Sequence, residues 1–451
     1  MPDEIIREPW EEIGDIVAAQ DAEYLDQFLQ KLNPADIARA ISRLDDETQA
    51  GVLTLLEPED AADLIQELSD VQGADLLEDL PIEKAALIFD EMESDERADL
   101  LQELDKEDAE AILAQMDPHE AANARKLLAY DADTAGGIMV TEFLSYDMNM
   151  KVADVLEDLH KHVEAYSDLI IQYIYAVNDK HNLVGVIPLR NLILSKPDTG
   201  LVNVMIPNPL YVLVDTPLQE LEQIFDRYTF VGLPVTDSTG RLVGVALRSD
   251  VEEALGEIAA GALTSFSGIV GGDELRSMPV YLRSFRRMSW LTFNLVLSII
   301  AASVIIRYEQ TISSLVALAF FIPVIGNMSG CSGNQAVGVS IRELALGVIK
   351  PEDWRRVFIK ELQVGLINGV ILGLLLMLIA LLLDKGIYIG LVAGAALALN
   401  TLVALTLGGL VPLILRRFDV DPALSAPPIV TTVSDMCGFL IFLSVATWLF
   451  M

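Results

Sequence analysis

The sequence predicts a multidomain protein. An all-α superhelical N-terminal domain of 12-residue repeats leads into a duplicated α/β region, and an α-helical transmembrane domain with five helices follows. Three observations carry this prediction: an apolar marker that returns every twelve residues, two copies of a strand pattern ending in "LVGV", and long apolar runs confined to the last third of the chain. The charge is as unevenly spread. The 451 residues carry a formal charge of −37 while 52% are hydrophobic, and residues 1–130 alone hold 36 acids against 9 bases, a local net of −27. So anionic a surface excludes nucleic acid as a partner, because phosphate binding needs Lys/Arg patches. Cations are the natural partners, although the charge also serves solubility, as in a salty cytoplasm.

In the first 130 residues the marker is Leu32, Leu44, Leu56, Leu68, Leu80, Met92, Leu104 and Met116. A cap or turn former usually follows it (Asn33, Asp45, Ser69, Asp105, Asp117), and Pro34, Pro58 and Pro118 stand where a helix begins. Twelve residues at 100° leave a 120° remainder, so one continuous helix would wind the pattern around itself. Short capped helices, stacked in a right-angled or superhelical array with Ala38, Ala50, Ala62, Ala74, Ala86, Ala98 and Ala122 between them, satisfy it. The N-terminus has no basic region followed by an apolar core, so no cleavable signal peptide is expected. Cys331 and Cys437, the two cysteines, form neither a disulfide framework nor a metal-ligand spacing.

In the middle region, "YIYAVNDKHNLVGVIPLRNLI" (173–193) and "FVGLPVTDSTGRLVGVALRSDV" (230–251) each read as strand, polar turn, strand, then a polar cap opening a helix. The segments 152–159 and 218–225 supply a helix before each copy. This duplication resembles a tandem pair of cystathionine-β-synthase (CBS) domains, modules that commonly sense adenine nucleotides or ions for an attached channel or enzyme. No nucleophile, base or phosphate-cradling loop stands out, so no enzyme is expected.

Five apolar stretches, roughly 289–306, 311–338, 356–383, 387–415 and 427–450, are placed as membrane spans. Arg276, Arg283, Arg286 and Arg287 precede the first. Arg342, Lys350, Arg355, Arg356 and Lys360 lie between the second and third, and Arg416 and Arg417 between the fourth and fifth. The other side has Arg307 and Lys385. The positive-inside rule then puts the N-terminal half in the cytoplasm and the C-terminus outside.

Two features inside these spans point to an ion path. "FFIPVIGNMSGCSGNQ" (320–335) combines Pro323 with Gly326, Ser329, Gly330, Ser332 and Gly333, which loosen a helix or let helices pack closely. Asn327, Asn334 and Gln335 add amide oxygens. In "IVTTVSDMCGF" (429–439), Asp435 stands among Thr431, Thr432 and Ser434. A carboxylate near a bilayer centre costs roughly 2.5–3.5 kcal/mol, and it normally faces a bundle interior or a water path. An acid snorkelling to the interface, or paired with an arginine, is the plainer alternative. A carboxylate with small and amide neighbours suits a hard cation that keeps its water, such as Mg²⁺, and two chains on a symmetry axis would supply two aspartates.

Together with "TAGGIM" (134–139), "GNQAVGVSIRELALG" (333–347) and "DPALSAPPIVTTVSDMCGF" (421–439), these features resemble the MgtE family of magnesium channels. The resemblance implies a homodimer in the lipid bilayer of the cell (inner) membrane, with its pore on the dimer axis. It further implies Mg²⁺ influx that closes when intracellular Mg²⁺ bridges the acidic cytoplasmic domains. It assigns 1–130 to a Mg²⁺-sensing N domain, 138–200 and 201–256 to the CBS domains, 257–287 to a connecting plug helix and 288–451 to the pore domain. Residue by residue, Asp435 matches the pore aspartate, with Asn334, Gln335, Thr431 and Thr432 lining the path. Asp63, Asp95 and Asp99 match acids that hold bridging Mg²⁺ against the second CBS domain, Asp250 matches their partner there, and Asp421 matches an acid facing the gating helix.

Some positions depart from the family pattern. The connecting helix carries Glu257 as its one acid within 256–272, Thr229 stands where an acid would bind metal, and Pro427–Pro428 precede the pore motif. ATP at the CBS pair is allowed by the resemblance, but Asn191 replaces the helix-opening acid of nucleotide-binding copies. Two other classes remain open: a secondary transporter exchanging a divalent cation for H⁺ or Na⁺, and a CBS-regulated anion channel. The anion channel would need basic groups where Asp435 stands.

Overall fold

A computed structural model describes residues 8–163, 166, 171–270, 274, 278, 280–418 and 420–451. Contacts divide the chain into two compact units, residues 1–256 and 257–451.

The first unit opens with ten helices among the described residues: α1 (Pro9–Ala19), α2 (Ala22–Leu29), α3 (Pro34–Ile41), α4 (Asp46–Leu55), α5 (Pro58–Gln66), α6 (Asp70–Glu78), α7 (Ile82–Glu91), α8 (Ser94–Glu103), α9 (Lys106–Gln115) and α10 (Pro118–Leu127). From α3 onward each begins twelve residues after the last, two residues beyond an apolar marker. The markers explain the break. Leu56, Leu68, Leu80, Met92, Leu104 and Met116 turn into the core at each junction, where a continuing helix would carry them outward. Asn33 and Asp45 accept from the amides of Asp36 (3.0 Å) and Thr48 (2.9 Å), caps of about 1 kcal/mol each. Ser69 and Asp105 occupy the cap position without a side-chain bond. Alternate helices lie side by side, α5 on α7 on α9 and α6 on α8 on α10.

Next come β1 (Met139–Val140), β2 (Ser145–Asp147), α11 (Val152–Lys161), β3 (Tyr173–Val177), β4 (Leu183–Pro188), α12 (Leu189–Leu194), β5 (Ile206–Pro207), β6 (Val212–Leu213), α13 (Leu218–Arg227), β7 (Gly232–Thr236) and β8 (Leu242–Leu247). They form two four-stranded sheets, β2-β3-β4-β5 and β1-β8-β7-β6. The duplication holds in the register, with Tyr175 opposite Val186 and Pro234 opposite Val245. The sheets exchange end strands. β1 pairs with β8 of the second copy, and β5, within 201–256, pairs with β4 of the first. The polar cap expected before the first of the two following helices is not formed. α12 follows Pro188 with no side-chain cap bond, and α14 (Arg248–Phe266) starts straight from β8.

The second unit contains α15 (Val280–Ile306), α16 (Glu309–Ser314), α17 (Ala317–Ala345), α18 (Trp354–Leu382), α19 (Ile387–Arg417) and α20 (Pro422–Phe450). Within the span 257–287 expected to be one connecting helix, α14 ends at Phe266 and α15 begins at Val280. Four helices, α15, α18, α19 and α20, are long and apolar enough to cross a membrane. α17 is as long, 29 residues or about 43 Å, but its Gly/Ser/Asn run lowers its hydropathy, which is why five spans were expected and four qualify. α17 runs unbroken through Pro323, so its small residues do not loosen it. They serve packing instead: Gly326, Gly330 and Gly333 lie against Asp435, Thr431 and Val430 of α20. Gly365, Gly369 and Gly373 of α18 meet Leu402, Ala398 and Gly394 of α19 in the same way. The described basic residues named above stand in the end turns of these helices or in the loops between them, and Arg276 lies outside the described residues.

Candidate functional site

In the second unit, the turn of α20 that carries Asp435 packs on the small-residue face of α17. A Cβ on Gly326 would stand 3.4 Å from Asp435 Oδ1, and Ser329 Oγ lies 3.3 Å from the same oxygen. Gly326 and Gly330 let the two backbones approach, which brings the half-buried carboxylate against α17 without an intervening side chain. Among the described residues no Lys or Arg forms an ion pair with Asp435. Ser434 turns its hydroxyl to Thr431 O (3.0 Å) and Thr432 to Pro428 O (2.7 Å). Thr432 is thereby committed to its own helix. Thr431 lies beside Gly330, Asn334 Oδ1 is buried without a partner among the described residues, and Gln335 is exposed. Asp421 caps α20, accepting from the amides of Ala423 (2.8 Å) and Leu424 (3.4 Å), a structural task the sequence did not suggest.

In the first unit, the start of α8 meets the start of α14, and both ends carry acids. Asp95 is 7% exposed, and neither its Oδ1 nor the buried Oδ2 of Asp250 has a partner among the described residues. Burial first, then the charges of Asp250, Glu93 and Glu96, pushes the Asp95 carboxyl well above its ordinary range. Burial and the neighbouring acids Glu93, Glu253, Asp70 and Asp250 push Glu96 up to about 8. Asp250 and Glu93 are raised as well, chiefly by burial. The nearest cations are committed elsewhere. Arg97 donates to the carbonyls of Phe89 (2.7 Å) and Met92 (2.6 Å) and pairs with Glu120, and Arg248 reaches Glu252 at 3.7 Å. Sequence reasoning found Asp95 and Asp250 but missed Glu93, Glu96 and Glu253, whose signal was the density of acids at two helix starts, "EMESDER" (91–97) and "SDVEE" (249–253).

Asp99 is half-buried one turn further along α8. Asp63 is exposed and lines a cleft of about 240 Å³ with Asp26, Asp60 and Glu67, where burial first, and then the charges of Asp26 and Asp63, raise the Asp60 carboxyl. Thr229, Asn191 and Glu257 are all exposed. Among the described residues no three His, Cys, Asp or Glu side chains converge to ligate one ion. Mg²⁺ is usually held by one or two carboxylates plus waters, so the orphaned oxygens of Asp95 and Asp250 suit it as hard anionic donors.

A cavity of about 290 Å³ opens between α8, α10 and the two sheets, lined by Asp90, Glu93, Glu120 and Glu142 with Arg97 among them. Its acids and the already paired Arg97 offer nothing to a triphosphate there, while Phe143, Tyr173, Tyr175, Val231 and Val245 give the cavity an apolar wall.

A family model described as MgtE, divalent cation transporter, matches residues 322–445; the MgtE intracellular N domain matches 32–133; and a CBS domain matches 201–257. The magnesium transporter MgtE of Thermus thermophilus is 36% identical over 332 residues, 72% of each chain. That of Enterococcus faecalis is 32% identical over 72% of this chain and 71% of its own. Among solved structures, the soluble part of a magnesium transporter aligns at TM-score 0.51 and 27% identity, covering 56% of this chain and 99% of its own. The cytosolic domain of the Mg²⁺ channel MgtE in complex with ATP aligns at TM-score 0.50 and 33% identity, covering 54% and 99%.

Proposed function

The chain belongs to the MgtE family of magnesium transporters, and from that premise we propose that it is a Mg²⁺-selective influx channel closed by Mg²⁺ on its cytoplasmic side. The observation that carries the proposal is Asp435, a carboxylate without a described basic partner, held against the small-residue face of α17. Two protomers related by a two-fold axis would bring two such aspartates to one path, with Asn334, Gln335 and Thr431 adding oxygen donors. Mg²⁺ gives up its water reluctantly, so the aspartates attract the hydrated cargo and need not strip it. α17 joins the four apolar helices as a fifth span, its polar face turned to the path and so spared from lipid. The basic helix ends then face the cytoplasm with the first unit, and the C-terminus lies outside the cell membrane.

Closure is assigned to the acids of the first unit. Asp95 and Asp250, with Glu93 and Glu96 around them, hold the regulatory ion between α8 and α14. Asp99, Asp63 and Asp421 are further acids that the family pattern assigns to the same control. A divalent cation there supplies the positive charge that lets these carboxylates ionise together. Without it they stay close only by keeping protons, and at neutral pH their repulsion drives α8 and α14 apart. No step is assigned to ATP.

The test is Mg²⁺ current through the full-length protein in a planar bilayer while cytoplasmic Mg²⁺ is stepped upward. The proposal expects currents far above carrier turnover that shut as cytoplasmic Mg²⁺ rises. Electroneutral, H⁺- or Na⁺-coupled flux would instead make the protein an exchanger.

A further inference from the structure

α19 holds two polar side chains that the proposed path does not use. Asn400 and Thr401 stand in "LALNTLVAL" (397–405), and both are 0% exposed. Neither Oδ1 nor Nδ2 of Asn400, nor Oγ1 of Thr401, has a hydrogen-bond partner among the described residues. Other buried hydroxyls of the unit are satisfied on helix carbonyls: Ser329 on Gly326 (2.8 Å), Ser340 on Gly409 (3.1 Å) and Thr432 on Pro428 (2.7 Å). An unpaired amide among apolar helices is costly, so an asparagine there demands a polar companion that the helices do not supply.

The position of the pair says what that companion serves. A Cβ on Gly438 would stand 2.8 Å from Asn400 Cγ, so the amide lies on the backbone of α20 one turn beyond Asp435. On the other side, Gly333 of α17 packs on Ala404 of α19, and Ser340 bonds to Gly409 further along both helices, so the two run in parallel. Thr401, one turn before Ala404 on the same stripe, is therefore level with Ser329 and Gly330, the residues that face Asp435 and Thr431. Ser329, Asn400, Thr401 and Asp435 thus lie at one depth of the bundle, on three different helices.

We propose that Asn400 and Thr401 are positioning residues for the ion site: they hold ordered water where α17, α19 and α20 meet, which hydrogen-bonds to Asp435 and orients it towards the hydrated cation. A buried water typically makes about three hydrogen bonds, which the amide, the hydroxyl and the carboxylate together provide. Gly438 keeps the space for the amide itself, since any side chain there would strike it. The inference rests on Asp435 as the ion site.

The experiment is Mg²⁺ uptake into proteoliposomes of the full-length protein as a function of external Mg²⁺, with thermal unfolding of the same preparations. Thr401→Val keeps volume and Asn400→Leu keeps the branched shape, and both remove the polar atoms, while Asn400→Ser keeps a hydroxyl and leaves room for a second water. Asn400→Leu should raise the half-saturating Mg²⁺ about tenfold, as expected of one lost hydrogen bond to a charged group. Its maximal uptake and melting temperature should stay at or above wild type. Thr401→Val should shift in the same direction, and Asn400→Ser should stay near wild type. Unshifted half-saturation in the Leu and Val variants overturns the inference. So does an Asn400→Ser protein as impaired as Asn400→Leu, which would make the site a packing contact. If the Leu protein does not fold, Thr401→Val decides. Asp435→Asn runs in parallel. Full uptake by that variant sinks the ion-site reading and this inference together, whereas its loss of uptake beside an unshifted Asn400→Leu sinks this inference alone.

Discussion

Ser329 on α17 shares one hydroxyl between two acceptors, lying 2.8 Å from the Gly326 carbonyl and 3.3 Å from Asp435 Oδ1 on α20. The shorter contact is the stronger, so Asp435 receives only a weak share of that proton. A carboxylate has about four acceptor positions, and this one keeps most of them for other donors. The arrangement tethers the acid in place while leaving it able to take a hydrated cation.

The acid cluster predicts a stability that depends on pH and Mg²⁺ together. The folded carboxyl of Glu96 keeps its proton up to about 8, against an ordinary 4.5, and Asp95, Asp250 and Glu93 shift in the same direction. Folding therefore binds protons. This contribution is complete below 4.5 and is lost as pH rises towards 8. The melting temperature of residues 1–256, produced as a soluble unit, should fall across that window without divalent ions. Millimolar Mg²⁺ should flatten the fall, and Asp95→Asn with Asp250→Asn should remove most of both effects. A melting temperature that ignores Mg²⁺ at the upper end of the window would leave the cluster without a sensing role.

Arg97 should matter for folding more than for sensing. Its guanidinium is 2% exposed, closes the end of α7 through the carbonyls of Phe89 and Met92, and pairs with Glu120. Arg97→Met strands those carbonyls and a half-buried carboxylate, at a cost of about 3 kcal/mol or more. Urea unfolding of residues 1–256 followed by Trp10 fluorescence checks it, and a loss under 1 kcal/mol would contradict this role.

Close packing of α18 on α19 should be intolerant of bulk. A Cβ on Gly369 would fall 2.5 Å from the Ala398 carbonyl oxygen, and backbone cannot step aside. Gly369→Val should destabilise the unit by about 1–3 kcal/mol or prevent its assembly. Gly338→Ala, with open space around it, should leave the melting temperature of the detergent-solubilised protein unchanged.

These residues also show what sequence can and cannot reveal. The helical repeat was legible because each junction writes itself locally: an apolar marker, a cap or a proline, and a start twelve residues on. The exchange of β1 and β5 between sheets was not, since a two-residue strand carries no sign of a partner about a hundred residues away, as Met139 pairs with Ala246. The "GNMSGCSGNQ" run leaves loosening and close packing both open in the sequence, because small residues look the same in a loop and in a tight interface. Only the facing Asp435 and Thr431 decide which it is. Asp435 was legible as an isolated charge in an apolar run. Asn400 carries the same signal at lower contrast and passed unnoticed, while Glu96 gained its meaning only when α14 closed over it.

The central claim is tested most directly by Mg²⁺ influx into proteoliposomes of the wild type and of Asp435→Asn, with Mg²⁺ clamped on the cytoplasmic face. The account predicts that the wild type conducts and closes as clamped Mg²⁺ is raised, and that the asparagine variant, folded and inserted equally well, loses most of its flux. An Asp435→Asn protein that conducts like the wild type would contradict it, make Asp435 a structural acid, and move the ion path to the face of α17 around Asn334.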